Sequence, residues 1–330
     1  MRCAVIGAGA WGTALADVLT ENGHSTMIWA YEKDVAESIN ERHENPRFLP
    51  KIHLGHDLRA TSDKERAVEA AELIVLATPS HVLREVVTAT RASAATDATL
   101  VVATKGIERD RLALMTEVVS EALPGRPVVA LSGPSFAAEV AARHPTAIVA
   151  ASLSPGAAER AQQALSSSSF RVYTHDDVVG VELGGALKNV MALATGISDG
   201  LNLGFNARAA LITRGLAEIT RLGIKRGARP ATFAGLAGVG DLVLTCTGAL
   251  SRNRSVGLEI GRGATLSEIL ASRETIAEGV TTTQSARELS RREDIEMPIV
   301  NAVHRVLFER QPARWALVEL MTRGLRGEQN

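Results

Sequence analysis

The sequence predicts an α/β chain, with an N-terminal doubly wound, mostly parallel sheet followed by an all-helical C-terminal domain. Three observations predict it. Short β-branched runs alternate with Ala-rich stretches of helical pattern through the first half of the chain. Those runs are apolar almost end to end, as strands are when helices cover both faces of a parallel sheet. From about Val178 the strand signal stops and only helical patterns follow.

Taken in order, buried strands are expected at residues 2–6, 26–29, 73–77, 100–103, 128–131 and 147–150. Helices are expected between them at 11–22, 82–92 and 112–123. The serine run 166–169 followed by 171–173 reads as a loop and the last sheet element. Beyond it, 181–198 is a long helix, and 207–222 follows with Asn206 as its N-cap. Shorter helices are expected at 231–236, 251–260, 266–271, 282–292, 299–308 and 315–323, and the polar residues 324–330 should fray. The chain thus divides into residues 1–177 and residues 178–330.

A chain of 330 residues exceeds one ordinary domain, which agrees with that division. Aromatic residues make up only 3%, so Ala, Val and Leu must fill the core. A net charge of −1 excludes a broad nucleic-acid footprint, which needs clustered Lys and Arg. Cys3 and Cys246 cannot build a disulfide framework, which fits a reducing compartment. The chain opens on a strand pattern rather than on a signal peptide, and no apolar run reaches the length of a membrane span. A cytoplasmic protein is expected.

Gly7-Ala8-Gly9-Ala10-Trp11-Gly12 follows the first strand and opens the first helix. Gly7 permits a tight turn, Gly9 lets the backbone approach a pyrophosphate, and Gly12 lets the helix pack close to the strand. The helix N-terminus adds free N–H groups and a positive dipole end. With strand, helix and second strand in place, this is a Rossmann dinucleotide signature rather than a stray glycine turn. The end of the second strand reads Ala30-Tyr31-Glu32-Lys33, where Glu32 suits the ribose of NAD while Tyr31 and Lys33 suit a 2′-phosphate. The choice between NAD and NADP stays open.

In a doubly wound sheet, ligands bind beyond the carboxyl ends of the strands. Thr78-Pro79-Ser80-His81, Thr104-Lys105-Gly106 and Ser132-Gly133-Pro134-Ser135 all fall on that rim. Lys105 is either a solvated loop residue, the usual fate of a lysine, or a functional one facing the expected nicotinamide, whereas His81 begins a helix and suits a capping or packing role. In the long helix, Gly184 and Gly185 cost up to about 2 kcal/mol relative to alanines, and Lys188 leans back over the turn they make. Either that bare turn takes a ligand beside the ammonium, or the glycines serve close helix packing and Lys188 reaches solvent. A second cation such as Lys105 nearby would lower the pKa of Lys188 and suit it to carry a proton. Asp241 sits in a glycine-rich turn, either as an acid of the site or as a cap for the next apolar run. Ser251-Arg252-Asn253 opens a helix as a phosphate cradle or as a solvated first turn capped by Ser251. His53 and His56 form an H-x-x-H pair that no carboxylate or Cys completes, so no metal is expected.

Taken together, these segments resemble the NAD(P)-dependent glycerol-3-phosphate dehydrogenases of the prokaryotic type, over nearly the whole chain. The resemblance rests on the glycine fingerprint extended to Ala16, on Asn45-Pro-Arg-Phe-Leu-Pro50, Ala103-Thr-Lys-Gly106 and Leu131-Ser-Gly-Pro-Ser-Phe136. Further matches are Gly184-Gly-Ala-Leu-Lys-Asn189, Gly240-Asp-Leu-Val-Leu-Thr-Cys-Thr247 and Ser251-Arg-Asn-Arg254. It implies a 6-phosphogluconate-dehydrogenase-like fold, NAD or NADP as cofactor and Lys188 as proton donor and acceptor. It implies that Lys105, Gly133, Ser135, Lys188, Asp241, Ser251, Arg252 and Asn253 surround the substrate, dihydroxyacetone phosphate or sn-glycerol 3-phosphate. It implies that Gly7, Gly9, Ala10, Trp11, Gly12, Tyr31, Phe48, Lys105, Ala137, Arg252, Ile276 and Glu278 line the cofactor. A homodimer serving phospholipid synthesis is also implied. Ala10 stands where many relatives carry Ser, and Tyr31 stands where a basic side chain is common, which weakens the expectation of NADP preference. Two rivals remain: a β-hydroxyacid or ketopantoate reductase, which would need a carboxylate-binding group, and a nucleotide-sensing module without turnover.

Overall fold

The computed structural model describes residues 1–273 and 277–322, together with Gly324 and Gly327. Its strands in chain order are β1 (Arg2–Ile6), β2 (Ser25–Trp29), β3 (Glu44–Asn45), β4 (Leu49–His53) and β5 (Arg59–Thr61), followed by β6 (Leu73–Leu76), β7 (Thr99–Val102), β8 (Val128–Ser132), β9 (Thr146–Ala151) and β10 (Phe170–His175). Eight of them form one sheet in the order β10-β9-β8-β7-β6-β1-β2-β5, and β3 and β4 make a separate hairpin. All neighbours in the large sheet are parallel except β8 and β9. The sheet is therefore mostly parallel, and β9 and β10 run against the other six strands.

The continuous apolar runs work as the sequence suggests, because successive side chains point to opposite faces. Cys3, Val5, Leu73, Val75 and Val101 enter one core with the helix Ala10–Glu21. Ala4, Ile6, Ile74, Leu76, Leu100 and Val102 enter the other, under the helices Leu83–Ala89 and Met115–Ala122. A strand covered on both faces has no polar side, which is why these runs do not alternate in the sequence.

After β10 the chain turns helical at Val178. The central helix Val178–Gly200 is buried without a break from Gly180 to Ser198. Around it pack the helices Gly204–Lys225, Asp241–Thr247, Arg252–Gly261, Glu278–Arg292 and Pro298–Phe308. By length and composition it is apolar enough to cross a membrane, contrary to the sequence expectation. Its apolar window is 83% buried inside the protein, so neighbouring helices take up that surface.

Several expectations need correction. The strand β5, the hairpin β3–β4 and the helices Lys33–Arg42, Lys64–Val68, Ala137–Ala141 and Ala157–Leu165 were not foreseen. Asn206 lies inside the helix Gly204–Lys225, whose N-cap is Leu203. Asp241 does not end a turn but begins an unforeseen helix, Asp241–Thr247, directly after a π-helical segment Leu236–Gly240. The expected terminal helix is Ala313–Met321, and Arg323 and most of 324–330 lie outside the described residues.

Candidate active site

At the glycine turn, Gly7 has φ +116°, and a Cβ there would meet the Ala77 carbonyl oxygen at 2.8 Å. A Cβ on Gly12 would lie 1.9 Å from the Gly7 carbonyl oxygen, so the helix rests directly on the turn. Gly9 has open space on its side-chain side and is the N-cap of Ala10–Glu21 without any side-chain cap. The first helical N–H groups thus face outward with backbone able to approach a ligand, which fits a dinucleotide pyrophosphate. The hairpin braces this turn. The Asn45 amide donates to the Ala8 carbonyl and the Thr13 hydroxyl, both at 2.8 Å, and its oxygen accepts from the Phe48 N–H at 3.2 Å.

Ala10, Trp11, Phe48 and Ala137 are partly buried against the core on that side of the sheet. Tyr31 is 80% exposed beyond β2, its ring edge-on to Trp29 at 6.4 Å.

The rim of β7 and β8 meets the helical part at one carboxylate. Asp241 is fully buried. Its Oδ2 accepts from Lys105 Nζ at 2.8 Å, and its Oδ1 accepts from Lys188 Nζ. Lys105 also donates to the Gly133 carbonyl at 3.2 Å, and the Ser135 hydroxyl donates to the same oxygen at 3.0 Å. Burial lowers the pKa of Lys188, the Asp241 carboxylate opposes that shift, and the nearby Lys105 charge adds to it.

The two open readings of the central helix resolve in an unexpected way. A Cβ on Gly184 would lie 2.2 Å from the Ala237 carbonyl oxygen, and one on Gly185 would lie 2.4 Å from Ser132 Oγ. The glycines therefore serve close packing, and no bare turn is left for a ligand. Lys188 nevertheless does not reach solvent, being only 8% exposed and paired with Asp241.

The residues of the candidate phosphate cradle are partly committed to other contacts. Ser251 caps its helix by accepting from the Arg254 N–H at 3.2 Å. The Asn253 amide donates to the Asn189 side chain at 3.0 Å and accepts from the Gly279 N–H at 2.8 Å, which leaves one amide hydrogen. Arg252 is exposed and makes no hydrogen bond or ion pair among the described residues. Glu278 stands near it, its pKa raised by burial against the opposing charges of Arg252, Lys105 and Lys188. Ile276 lies outside the described residues.

The sequence reading missed Asn189 as a partner of Asn253, and Asn45 as the brace of the turn. Glu182 was missed as well, although an acid amid the apolar residues 178–187 was an available signal. The rings of His43, His53 and His56 cluster at 4.4–6.0 Å, yet no group of His, Cys, Asp or Glu among the described residues is set to hold a metal.

Comparison with known proteins joins these observations. The family model for the N-terminus of NAD-dependent glycerol-3-phosphate dehydrogenase matches residues 2–158, and the model for its C-terminus matches 177–318. A glycerol-3-phosphate dehydrogenase [NAD(P)+] of Geobacter sp. is 53% identical over 99% of this chain and 98% of its own. The crystal structure of a glycerol-3-phosphate dehydrogenase from Coxiella burnetii is 41% identical, with a TM-score of 0.94 over 98% of this chain and 99% of that one. A ketopantoate reductase from Ralstonia eutropha shares the fold alone, at 15% identity and a TM-score of 0.62 over 97% of this chain and 100% of that one.

Proposed function

The chain belongs to the NAD-dependent glycerol-3-phosphate dehydrogenase family, and on that premise we propose that it interconverts dihydroxyacetone phosphate and sn-glycerol 3-phosphate with NAD or NADP. The observation that carries the reading is the pair of lysines held on one buried carboxylate, at the sheet rim that also bears the glycine turn.

The nicotinamide, when bound, supplies the hydride to the carbonyl carbon. Lys188 donates its ammonium proton to the oxygen that gains charge, and its neutral amine takes the hydroxyl proton in the reverse direction. Asp241 aims that ammonium and keeps it loaded, because an adjacent carboxylate favours the charged amine. Lys105 adds a second positive charge where negative charge develops, in a site of low dielectric. Arg252, the helix N-terminus after Ser251 and the remaining Asn253 amide hydrogen hold the phosphate. Gly133 and Ser135 close the substrate side.

Gly7, Gly9, Ala10, Trp11, Gly12, Tyr31, Phe48, Lys105, Ala137, Arg252 and Glu278 line the cofactor. Residues 1–177 are the dinucleotide-binding domain and residues 178–330 the catalytic one. The enzyme works in the cytoplasm as a homodimer and supplies sn-glycerol 3-phosphate to glycerophospholipid synthesis.

The test follows absorbance at the NADH band with dihydroxyacetone phosphate offered alongside NADH and then NADPH, and with ketopantoate as control. Oxidation that requires the phosphate substrate is expected, and the two rates give the cofactor preference. Folded, cofactor-binding protein that turns over ketopantoate alone, or neither substrate, overturns the reading.

A further inference from the structure

Glu182 has no part in the mechanism above, yet it lies within reach of it. It stands on the central helix six residues before Lys188, about 9 Å along the axis, between the buried Val181 and Leu183. Its Oε1 accepts from the Thr116 N–H at 2.9 Å and its Oε2 from the Thr116 hydroxyl at 2.5 Å. Thr116 is in the first turn of Met115–Ala122, so the carboxyl sits on a helix N-terminus that favours its charge.

Glu182 also lines a small cavity that it shares with Thr104, Lys105, Gly106 and Ser132. Its volume of about 10 Å³ is that of a single water. The Ser132 hydroxyl is buried without a partner beside Gly185, one turn after Glu182. Glu182 and Lys105 thus border the same small cavity, and Lys105 is joined through Asp241 to Lys188.

We propose that Glu182 is a positioning residue of the reaction: its charge, felt by Lys105 across the shared cavity, balances the second lysine of the Lys105–Asp241–Lys188 cluster and keeps Lys188 protonated. The inference rests on the reading of Lys188 as proton donor. Beside Glu278 and Arg252, an ionised Glu182 adds a second carboxylate to Asp241 against the two ammonium groups; neutralising it removes one negative charge, which favours loss of a proton from a lysine. Burial pushes the Glu182 carboxyl up to about 7, Thr116 opposes that, and the charge of Glu117 adds to it. Its charge thus changes near neutral pH. Lys188 itself is faced by Asp241 and Lys105, and also by Glu278 and Cys246.

Glu182→Gln tests this, since an amide oxygen can accept from the Thr116 N–H and an amide nitrogen can donate to the Thr116 hydroxyl. Two readouts are taken on full-length protein across pH. One is the protonation midpoint of Lys188 by competitive labelling with acetic anhydride and peptide mass spectrometry. The other is kcat for reduction of dihydroxyacetone phosphate. Both are expected to move down by roughly half a pH unit or more in the variant. An unmoved Lys188 midpoint in folded Glu182→Gln overturns the proposal. A midpoint that moves under an unmoved rate profile supports the coupling and overturns instead the role given to Lys188. If Glu182→Gln does not fold, Thr116→Val replaces it. Loss of that hydroxyl raises the carboxyl further, so the same downward shifts are expected, and their absence overturns the proposal.

Discussion

A buried carboxylate between two ammonium groups holds only as a set, because each charge has given up its water. Asp241→Asn leaves Lys105 and Lys188 facing each other without that carboxylate, and a loss of about 3–5 kcal/mol in urea-unfolding stability is expected. Lys188→Ala should cut turnover by about 10³-fold while NADH still quenches tryptophan fluorescence. A variant that keeps a tenth of the activity would remove Lys188 from the proton step. The lowered pKa of Lys188 also sets the direction of pH dependence. With Lys188 as the proposed proton donor, the rate of reduction is expected to fall as pH rises through that pKa, and that of oxidation to rise over the same interval, in initial-rate pH profiles taken in both directions. Burial pushes the thiols of Cys3 and Cys246 up to about 12, so neither should react with a maleimide in the folded protein at neutral pH. At this scale the sequence named Lys105, Lys188 and Asp241 but left their contact open. A lysine at a strand mouth and a lysine on a helix carry no mark that they share one carboxylate 136 residues from the first.

Whole elements press together here through glycine. A Cβ on Gly196 of the central helix would lie 2.2 Å from the Arg254 carbonyl oxygen, and one on Gly257 would lie 2.3 Å from that of Leu193. Gly196→Ala is therefore expected to cost about 1–3 kcal/mol in denaturant unfolding and to push Ser251–Asn253 off the site. A variant with unchanged stability and unchanged KM for the phosphate substrate would show that this contact can relax. The buried strands were legible because four or five apolar residues in a row have few other uses. Lys33–Arg42 was not, since it buries only Val35, Ala36, Ser38 and Ile39 and reads as polar sequence. The helix Asp241–Thr247 was hidden by Gly238, whose φ of −99° and ψ of −106° break the helical path just before it.

The sheet part and the helical part meet at Asp177, between β10 and the central helix. Its carboxylate accepts from the Gly180 N–H at 2.9 Å, the Arg229 N–H at 2.8 Å and the Thr232 hydroxyl at 2.5 Å. Asp177→Ala strands those donors and should cost about 1–3 kcal/mol. Saturating NADH works in the opposite sense. At a hundred times its Kd it should raise the unfolding free energy by about 2.7 kcal/mol, and no rise in Tm would mean that the folded chain does not hold the dinucleotide. The alternation of covered strands and helices, the glycine turn and the order of the motifs can all be read from the residues alone. Each of these depends on the period of side chains along a short segment or on what only glycine permits. Tertiary structure decided that Gly184 and Gly185 pack rather than bind, that Asn253 is half spent on Asn189 and Gly279, and that Lys105 and Lys188 share Asp241. Those outcomes depend on distances between segments far apart in the chain, and no local pattern of residues encodes a distance.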